Sequence, residues 1–482
     1  MSRALVWFRR DLRLADNPAL QAALDAGLAP IPVYLHAPHE ESPWEPGAAS
    51  RAWLAKSLAV LSKDLASRGS RLIVRRCDSS LDALLQLQAE TGAEAVFWNR
   101  LYEPALIARD SEIKSALRGQ GLRAESFGAA LLREPWEVET GQGEPYRVFT
   151  PFWKKLSAEL RSVSVSDAPK RLSGVPDGIE GLDVSQGDPL ALVPSPRWDK
   201  GFWDHFEPGE AGAAKQLKAF LDSAVSGYGE DRDFPAATGT SRLSPYLHFG
   251  EISPRQALAT IQRAGLDADG GAKAFVRELG WREFSHHLLY HFPKSAEENF
   301  NPRMEPFEWA SAEEDKLDAW QRGRTGIPIV DAGMRELWAT GWMHNRVRMI
   351  VASLLTKNLR YHWRHGADWF WDTLVDADLA SNTQGWQWTA GTGADAAPYF
   401  RIFNPVTQAE RFDPDGDYIR RWVPELTGLT GKALYAPWTA VDALRRMAPG
   451  YPSDPIVDLK LSREAALAAY QQSRVALAEK DA

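Results

Sequence analysis

The sequence has little cysteine, no long apolar run and no excess of positive charge. Cys77 is the single cysteine among 482 residues, so an internal disulfide, an iron–sulfur cluster held by thiolates and a sulfur-rich zinc site are excluded. No apolar stretch reaches the roughly 18 residues that a membrane-spanning helix needs, and the mean hydropathy is −0.36. The N-terminal segment carries arginine on both sides of a short apolar run, unlike a secretory signal. We therefore predict a cytoplasmic protein without a membrane span.

The net charge is −8, from 56 basic and 64 acidic side chains, which argues against a surface that is basic throughout. A local basic face remains compatible with this total, because a ligand responds to the nearby field. Tryptophan is abundant: the chain has 20, against 12 tyrosines and 19 phenylalanines. Each Trp taken alone is most simply a core residue, although indole rings also stack on flat ligands.

The N-terminal part, up to about residue 127, alternates short apolar runs with amphipathic stretches. This alternation predicts an open, doubly wound α/β domain with a parallel sheet, which binds ligands at the carboxyl ends of its strands. The predicted strands are 4–8, 31–35, 71–76, 94–98 and 122–127, and the predicted helices are 18–26, 50–67, 81–91 and 105–119. Arg9-Arg-Asp-Leu-Arg13 stands where a glycine-rich fingerprint would follow the first strand, so a nicotinamide dehydrogenase is disfavoured.

A long connector separates this domain from the rest of the chain. Residues 166–212 contain 13 glycines or prolines among 47 residues, a density that interrupts helices and strands and predicts a segment running over the surface. Beyond it the periodicity is helical, with predicted helices at 213–223, 253–264, 271–291, 329–340, 344–361, 367–373 and 461–480. We predict an α/β domain at 1–130, a connector at 131–212 and a mostly α-helical domain at 213–482.

Two clusters of polar residues stand in the first half of the helical part. Tyr228 and the segment 240–245 place hydroxyls and an arginine before a turn; they can donate hydrogen bonds to phosphate oxygens or simply cap a helix. On a helix, Glu278, Trp281 and Arg282 share one face. That face can stack a base and bind phosphate, or it can be a surface ion pair beside a half-buried indole.

Two further clusters follow. Between Glu336 and Asp368 the chain has five lysines or arginines and no acidic residue, which predicts a positive stripe for a phosphodiester or a basic helix packed against the acids at 368–378. Asp378, Asn382 and Trp386 are spaced by four, which on a helix aligns a carboxylate, an amide and an indole. An Asp-x-Asp pair can also bind a divalent metal, but helix formers and tryptophans flank this one and we predict no metal. The segment 391–396 imitates a dinucleotide fingerprint but follows no strand, so it is predicted to be a loop.

Together these clusters resemble a DNA photolyase of the photolyase/cryptochrome family, most like a bacterial class I cyclobutane pyrimidine dimer photolyase. The resemblance rests on the segments 6–13, 240–245, 281–284, 341–349, 376–388 and 399–405 and runs through both domains. It implies an antenna-type N-terminal domain, a C-terminal domain that binds FAD and DNA, and a monomer that acts on ultraviolet-damaged DNA. The implied reaction is a light-driven carbon–carbon lyase reaction, in which an electron from photoexcited reduced FAD splits a dimer flipped out of the duplex.

The resemblance also implies roles for individual residues. FAD binding is assigned to Tyr228, Thr240, Ser241, Arg242, Leu243, Ser244, Phe275, Asn345, Arg348, Asp376, Ala377, Asp378 and Asn382. DNA binding is assigned to Glu278, Trp281, Arg282, Asn345, Arg346, Met349, Trp388 and Gln408. The implied catalytic residues are Glu278, Asn345 and Asn382, with an electron-supply chain of Trp386, Trp363 and Trp309. Within these sets Arg348 pairs with Asp376, Asn382 faces flavin N5, and Phe275 stands where tryptophan is common.

Several residues bear on the choice of lesion, antenna and function. Asn345 and Met349 replace the two histidines of the (6-4) photolyases, which implies a cyclobutane dimer as the lesion. The segment 102–106 lacks the Asn-Glu pair that binds a folate in some relatives, so a second antenna chromophore of deazaflavin or folate type, or an empty antenna site, stays open. The alternative function is a cryptochrome-type blue-light sensor; Asn382 and the absence of a long extension after Lys480 favour repair. A non-photochemical nucleotide-binding protein is a third alternative, which would bind no flavin.

Overall fold

The computed structural model describes residues 2–160, 162–395 and 401–480. Its N-terminal part contains a parallel five-stranded sheet with the strand order β3-β2-β1-β4-β5. The strands are β1 (Arg3–Phe8), β2 (Ala29–His36), β3 (Ile73–Arg76), β4 (Ala95–Asn99) and β5 (Arg123–Phe127). Each predicted strand coincides with an observed one, so the predicted open, doubly wound sheet is confirmed. The strand order reverses between β1 and β4, where such folds bind ligands.

The central strands are apolar along their whole length because helices cover both faces of the sheet. Leu5 of β1 pairs with Ile31 of β2 on one side and with Val96 of β4 on the other, and all three are buried in one core. The connecting helices are α1 (Pro18–Asp25), α2 (Ala48–Ser67), α3 (Ser80–Thr91) and α4 (Pro104–Gly119). Their starts follow local chemistry: the Asn17 side chain accepts a hydrogen bond from Leu20 N at 3.1 Å, with proline next in the chain.

The connector differs from its prediction. It contains few regular elements, as expected, but it does not merely run over the surface: Leu182 N donates to Val74 O at 2.8 Å, and Ile179 is buried against the core of the sheet. The physical reason is that β3 is an edge strand, whose unpaired backbone groups this segment covers. Helix α5 (Phe149–Ala158) lies within the segment 131–212 that was predicted to be a connector, and it was not predicted from the sequence.

The remainder of the chain is mostly α-helical, as predicted. Its helices are α6 (Glu210–Ser223), α7 (Tyr228–Asp231), α8 (Ser244–His248), α9 (Pro254–Arg263), α10 (Gly270–His291), α11 (Glu314–Gln321), α12 (Pro328–Thr340), α13 (Asn345–Ser353), α14 (Trp363–Thr373), α15 (Leu379–Ala390), α16 (Pro405–Phe412), α17 (Asp417–Trp422), α18 (Lys432–Tyr435), α19 (Val441–Met447) and α20 (Leu459–Lys480). Short 3-10 segments lie at 38–41, 135–137, 198–204, 293–296, 302–304, 424–426 and 437–439.

The single helix predicted over 344–361 is wrong in its second half. The α-helix ends at Ser353, and a π-helical turn follows over Leu354–Asn358, in which Leu359 N donates to Leu354 O at 2.9 Å. This turn directs Lys357 inward, where its ammonium donates to Ala390 O at 2.5 Å. Lys357 therefore does not contribute to the predicted positive stripe.

The chain divides into two compact units. The first unit comprises Met1–Ser226, Ser241–Pro293 and Val375–Leu379; the second comprises Gly227–Thr240, Lys294–Leu374 and Ala380–Ala482. The core of the second unit includes the fully buried rings of Trp320 and Trp363. These units are defined by packing, and the boundaries predicted from sequence at residues 130 and 212 stay a prediction. No helix in the described part of the chain is long and apolar enough to cross a membrane.

Candidate active site

Helix α10 presents Glu278, Trp281 and Arg282 from the first unit. Its N-cap is Asp269, whose carboxylate accepts a hydrogen bond from Ala272 N at 2.8 Å. A side chain at Gly280 would collide with the ring of Trp153, so glycine allows α5 to pack closely against α10. All three predicted side chains are half-buried.

The ring of Trp281 stacks on Phe149 of α5. The ring centroids lie 3.6 Å apart with the planes at 9°, and Trp153 lies parallel on Phe149 at 6.3 Å. Phe149 is buried, so it holds the indole in one orientation. Sequence reasoning missed Phe149 and Trp153, although the three- and four-residue spacing of apolar residues in FTPFWKKL is a helical signal that could have found them.

Arg282 is not an open cation on the surface. Its guanidinium donates to Ala130 O at 2.7 Å and lies 3.7 Å from the carboxylate of the next residue, Glu283. Glu283 is fully enclosed, accepts a hydrogen bond from Leu132 N at 2.8 Å, and burial raises its pKa to about 7. The predicted role of Arg282 in binding DNA stays a prediction.

The remaining FAD candidates of the first unit lie in three segments. In the segment 241–244, Arg242 has a left-handed backbone with φ of 50°, and Ser241 O accepts a hydrogen bond from Gln216 at 2.9 Å. The hydroxyl of Ser244 donates to Asp376 Oδ2 at 2.6 Å, which joins two of these segments. Phe275 is buried against Phe220, with ring centroids 4.9 Å apart. Leu243 and Ala377 are also buried.

Asp378 forms a buried ion pair that the sequence analysis did not foresee. Its Oδ2 atom lies 3.3 Å from His286 Nε2 and 4.0 Å from His248 Nδ1. Although burial works against ionisation, the His286 cation holds the pKa of Asp378 well below its usual range. Burial lowers the pKa of His248 to about 4, so this second histidine is neutral near pH 7. Asp378 precedes α15, so the predicted helical alignment with Asn382 and Trp386 is wrong for this carboxylate.

In the second unit, α13 places Asn345, Arg346, Arg348 and Met349 together. Asn345 at the start of the helix is exposed, and the other three are half-buried. Arg346 donates to Asp233 Oδ1 at 2.7 Å, and its guanidinium lies 4.3 Å from the centroid of Phe412. Arg348 donates from Nε to Met343 O at 2.8 Å. The positive stripe read from the sequence is thus partly neutralised by a carboxylate from a distant segment.

The three predicted electron-supply tryptophans also lie in the second unit. Trp363 is fully buried and donates to Asn299 Oδ1 at 3.1 Å, whereas Trp309 is half-buried. His362 lies between these two rings, 5.1 Å from Trp309 and 5.5 Å from Trp363 by ring centroids. A side chain at Gly366 would collide with the ring of Trp386.

The other predicted residues of the second unit are placed as follows. Asn382 on α15 donates to Ala367 O at 3.0 Å. Tyr228 is buried and packs against Arg232, and Thr240 is half-buried. Trp388 and Gln408 are half-buried, and Gln408 Oε1 has no hydrogen-bond partner among the described residues. Tyr399 and Phe400, which contributed to the resemblance, and Ala396 of the predicted loop lie outside the described residues.

The residues present fit a flavin cofactor in their chemistry. Hydroxyls, guanidinium groups, carboxylates and an amide are the groups that bind phosphate, ribose and a ring imide. Trp386 Nε1 is buried and has no partner among the described residues, as expected where a bound group completes the site. No group of three His, Cys, Asp or Glu that could hold a metal ion occurs in residues 2–160, 162–395 and 401–480.

Comparison with known proteins identifies the family. Residues 4–172 match the model of DNA photolyase, and residues 275–472 match the model of the FAD binding domain of DNA photolyase. A deoxyribodipyrimidine photo-lyase of Agrobacterium fabrum is 48% identical over 97% of both chains. The chain belongs to the photolyase/cryptochrome family. The predicted FAD cofactor and the predicted photolyase type of enzyme are confirmed by these matches.

Other members of the photolyase/cryptochrome family are similar over nearly the whole chain. A crystal structure of a bacterial class III photolyase from Agrobacterium tumefaciens covers 98% of both chains at 47% identity, with a TM-score of 0.92. Cryptochrome-2 of Arabidopsis thaliana is 38% identical over 98% of this chain and 79% of its own. A crystal structure of an archaeal photolyase from Sulfolobus tokodaii is 31% identical, with a TM-score of 0.80. The match covers 98% of this chain and 100% of that chain. That structure is described with two FAD molecules and the implication of a novel light-harvesting cofactor.

Proposed function

We propose that this chain repairs cyclobutane pyrimidine dimers in ultraviolet-damaged DNA under blue light. The observation that carries the proposal is the position of Glu278 and Trp281 three residues apart on α10, with the indole stacked on Phe149. A flipped-out pyrimidine dimer needs a flat apolar surface and a polar group for its base edges, and this face offers both. The near full-length similarity to deoxyribodipyrimidine photo-lyases supports the same assignment.

Different residues bind the damaged bases, the DNA backbone and the cofactor in this proposal. Glu278 and Asn345 bind the edges of the damaged bases, Trp281 and Trp388 stack on them, and Met349 also contacts them. Arg282, Arg346 and Gln408 contact the DNA backbone. The cofactor is held by Tyr228, the segment 240–244, Phe275, Asn345, Arg348, Asp376, Ala377, Asp378 and Asn382. Bound FAD, when reduced and excited by light, supplies the electron that splits the dimer.

The proposed subclass is supported by similarity, and the proposed lesion is supported by two side chains. The sequence suggested bacterial class I, whereas the similarity to a structure described as class III supports class III. Asn345 and Met349 support a cyclobutane dimer, since neither is an imidazole that could serve as a proton donor in (6-4) repair. A second antenna chromophore, a monomeric state and a cytoplasmic location are part of the same proposal.

A blue-light sensor without repair activity is the second candidate. Its support is the similarity to plant cryptochromes, 38% and 40% identical to this chain. Asn382 argues for repair, because a neutral amide does not supply the acidic proton that a carboxylic acid in this position would offer.

Blue-light repair of an oligonucleotide with one thymine cyclobutane dimer tests the proposal. Purified protein with reduced flavin should restore the two thymines in light and not in the dark, and Glu278→Ala should lower the yield at least tenfold, since hydrogen bonds to charged groups contribute about 1.5–3 kcal/mol. An oligonucleotide with a (6-4) photoproduct should stay unchanged. Bound flavin without repair of the cyclobutane dimer would instead favour the sensor.

A further inference from the structure

Both ring nitrogens of His286 face hydrogen-bond acceptors. Nδ1 lies 3.0 Å from the carbonyl oxygen of Arg282, and Nε2 lies 3.3 Å from Asp378 Oδ2. A neutral imidazole carries one N–H and can satisfy one acceptor, whereas the imidazolium donates from both nitrogens. With Asp378 as a carboxylate, this geometry is satisfied by the doubly protonated ring, in a side chain that is almost completely buried.

Among the charged groups around Asp378, His286 is the direct counter-ion. The titratable and charged groups that face the pair are Asp378, Arg282, Glu283, His248, Arg10 and Tyr102. Arg282 is engaged by Ala130 O, and Arg10 pairs with Glu103 at 2.6 Å. Burial works against the cation, but the nearby carboxylate of Asp378 raises the pKa of His286 above its ordinary value.

We propose that His286 is a positioning residue that, as an imidazolium, keeps Asp378 in the carboxylate form in which it accepts a hydrogen bond from the flavin ring. The inference rests on the proposed function, which assigns Asp378 to FAD. A protonated Asp378 would present an O–H where the cofactor needs an acceptor. The imidazolium also offsets the carboxylate charge, so that the pair adds no net negative charge beside a reduced, electron-rich ring.

The protonation state can be observed directly by nitrogen NMR of holoprotein labelled with 15N-histidine. We expect one imidazolium signal at pH 7, identified by its loss in His286→Gln. It should persist in His287→Gln, a matched control: His287 is the next residue on α10, is equally buried, faces Pro135 O instead, and has a pKa that burial lowers to about 4. A neutral His286 at pH 7 would overturn the inference.

The consequence for the cofactor is measured by FAD affinity and flavin reduction potential across pH 6–9. His286→Gln should raise the FAD dissociation constant on the order of tenfold, as expected for one charge-assisted hydrogen bond, and should lower the potential. His286→Arg, which stays cationic at every pH, should keep the wild-type FAD affinity and potential at pH 7. Unchanged affinity and potential in His286→Gln would overturn the inference.

The two proposals fail in different ways. A wild-type protein that binds no FAD overturns the proposed function, while the NMR experiment still tests the ion pair. Repair by the wild type together with a neutral His286 overturns only the inference. If His286→Gln does not fold, the nitrogen signal is assigned by its loss in His286→Arg instead, and a neutral ring at pH 7 in the wild type still overturns the inference.

Discussion

The ring of Phe149 lies face to face with the ring of Trp281, with centroids 3.6 Å apart. Because Phe149 is buried and belongs to another helix, it fixes the plane that Trp281 offers to a ligand. In the proposed function Trp281 stacks on the damaged bases, so Phe149 would influence their stacking through the orientation of the Trp281 ring.

Replacing Phe149 by leucine should weaken the binding of an oligonucleotide that contains a dimer. Stacked aromatic pairs contribute about 0.5–1.5 kcal/mol beyond burial, so we expect a loss of several-fold in affinity, measured by fluorescence anisotropy in the dark. Phe152→Leu is the matched control, since Phe152 is equally buried but packs on Phe284, at 5.1 Å. An equal loss in both variants would show that only general stability is affected.

Substitutions at the two ends of the ion pair between Arg346 and Asp233 should change DNA binding in opposite directions. Arg346→Ala should weaken DNA binding and reduce the slope of log affinity against log salt by roughly one, as for one lost phosphate contact. Asp233→Asn should strengthen binding, because it removes the carboxylate that holds the guanidinium at 2.7 Å. Arg322→Ala, at an exposed arginine paired with Asp318, is the control and should change neither quantity. Weaker binding in Asp233→Asn would contradict a phosphate contact of Arg346.

Substitution of Trp309 tests the predicted electron-supply chain of Trp386, Trp363 and Trp309. Trp309→Phe should slow light-driven reduction of oxidised flavin at least tenfold while leaving repair by chemically reduced enzyme unchanged, because phenylalanine is much harder to oxidise. Transient absorption after a blue flash measures the first quantity. Trp338→Phe is the control, since this tryptophan is 46% exposed and stacks on Trp369 instead. Equal photoreduction in Trp309→Phe and the wild type would remove Trp309 from the chain.

The stability of the protein should depend on pH because of the buried carboxyl of Glu251. This fully buried carboxyl accepts hydrogen bonds from Gly209 N and from the side chains of Trp53 and Ser57, and burial raises its pKa from 4.5 to about 8. The folded state therefore holds a proton that the unfolded state releases above pH 4.5, so the contribution to stability is complete at low pH and is lost as the pH rises towards 8.

Glu251→Gln should remove this dependence. Each pH unit between the two pKa values changes the free energy of unfolding by up to about 1.4 kcal/mol in the wild type. Urea unfolding at several pH values between 5 and 8 should show a smaller decline in the variant. Some decline should remain, since Glu283 is also a buried carboxyl with a raised pKa. Parallel curves for the two proteins would contradict a protonated Glu251.

Local chemistry accounts for the parts of the fold that the sequence predicted well. The strands appear as short apolar runs because helices bury both faces of a parallel sheet, and Asn17 and Ser79 mark the starts of the helices that they cap. The helix over 344–361 was only half right, since nothing in its periodicity marks the π-helical turn at 354–358.

The sequence by itself determined the fold class, the family resemblance and the residue types that the site needs, because these depend on periodicity, capping and short motifs. Tertiary structure alone decided which charges meet. Asp233 neutralises Arg346 and His286 pairs with Asp378 across long stretches of chain, while Lys357 is drawn into the interior. Periodicity reports which face of a helix is apolar, but the partner of a charge depends on how distant segments pack.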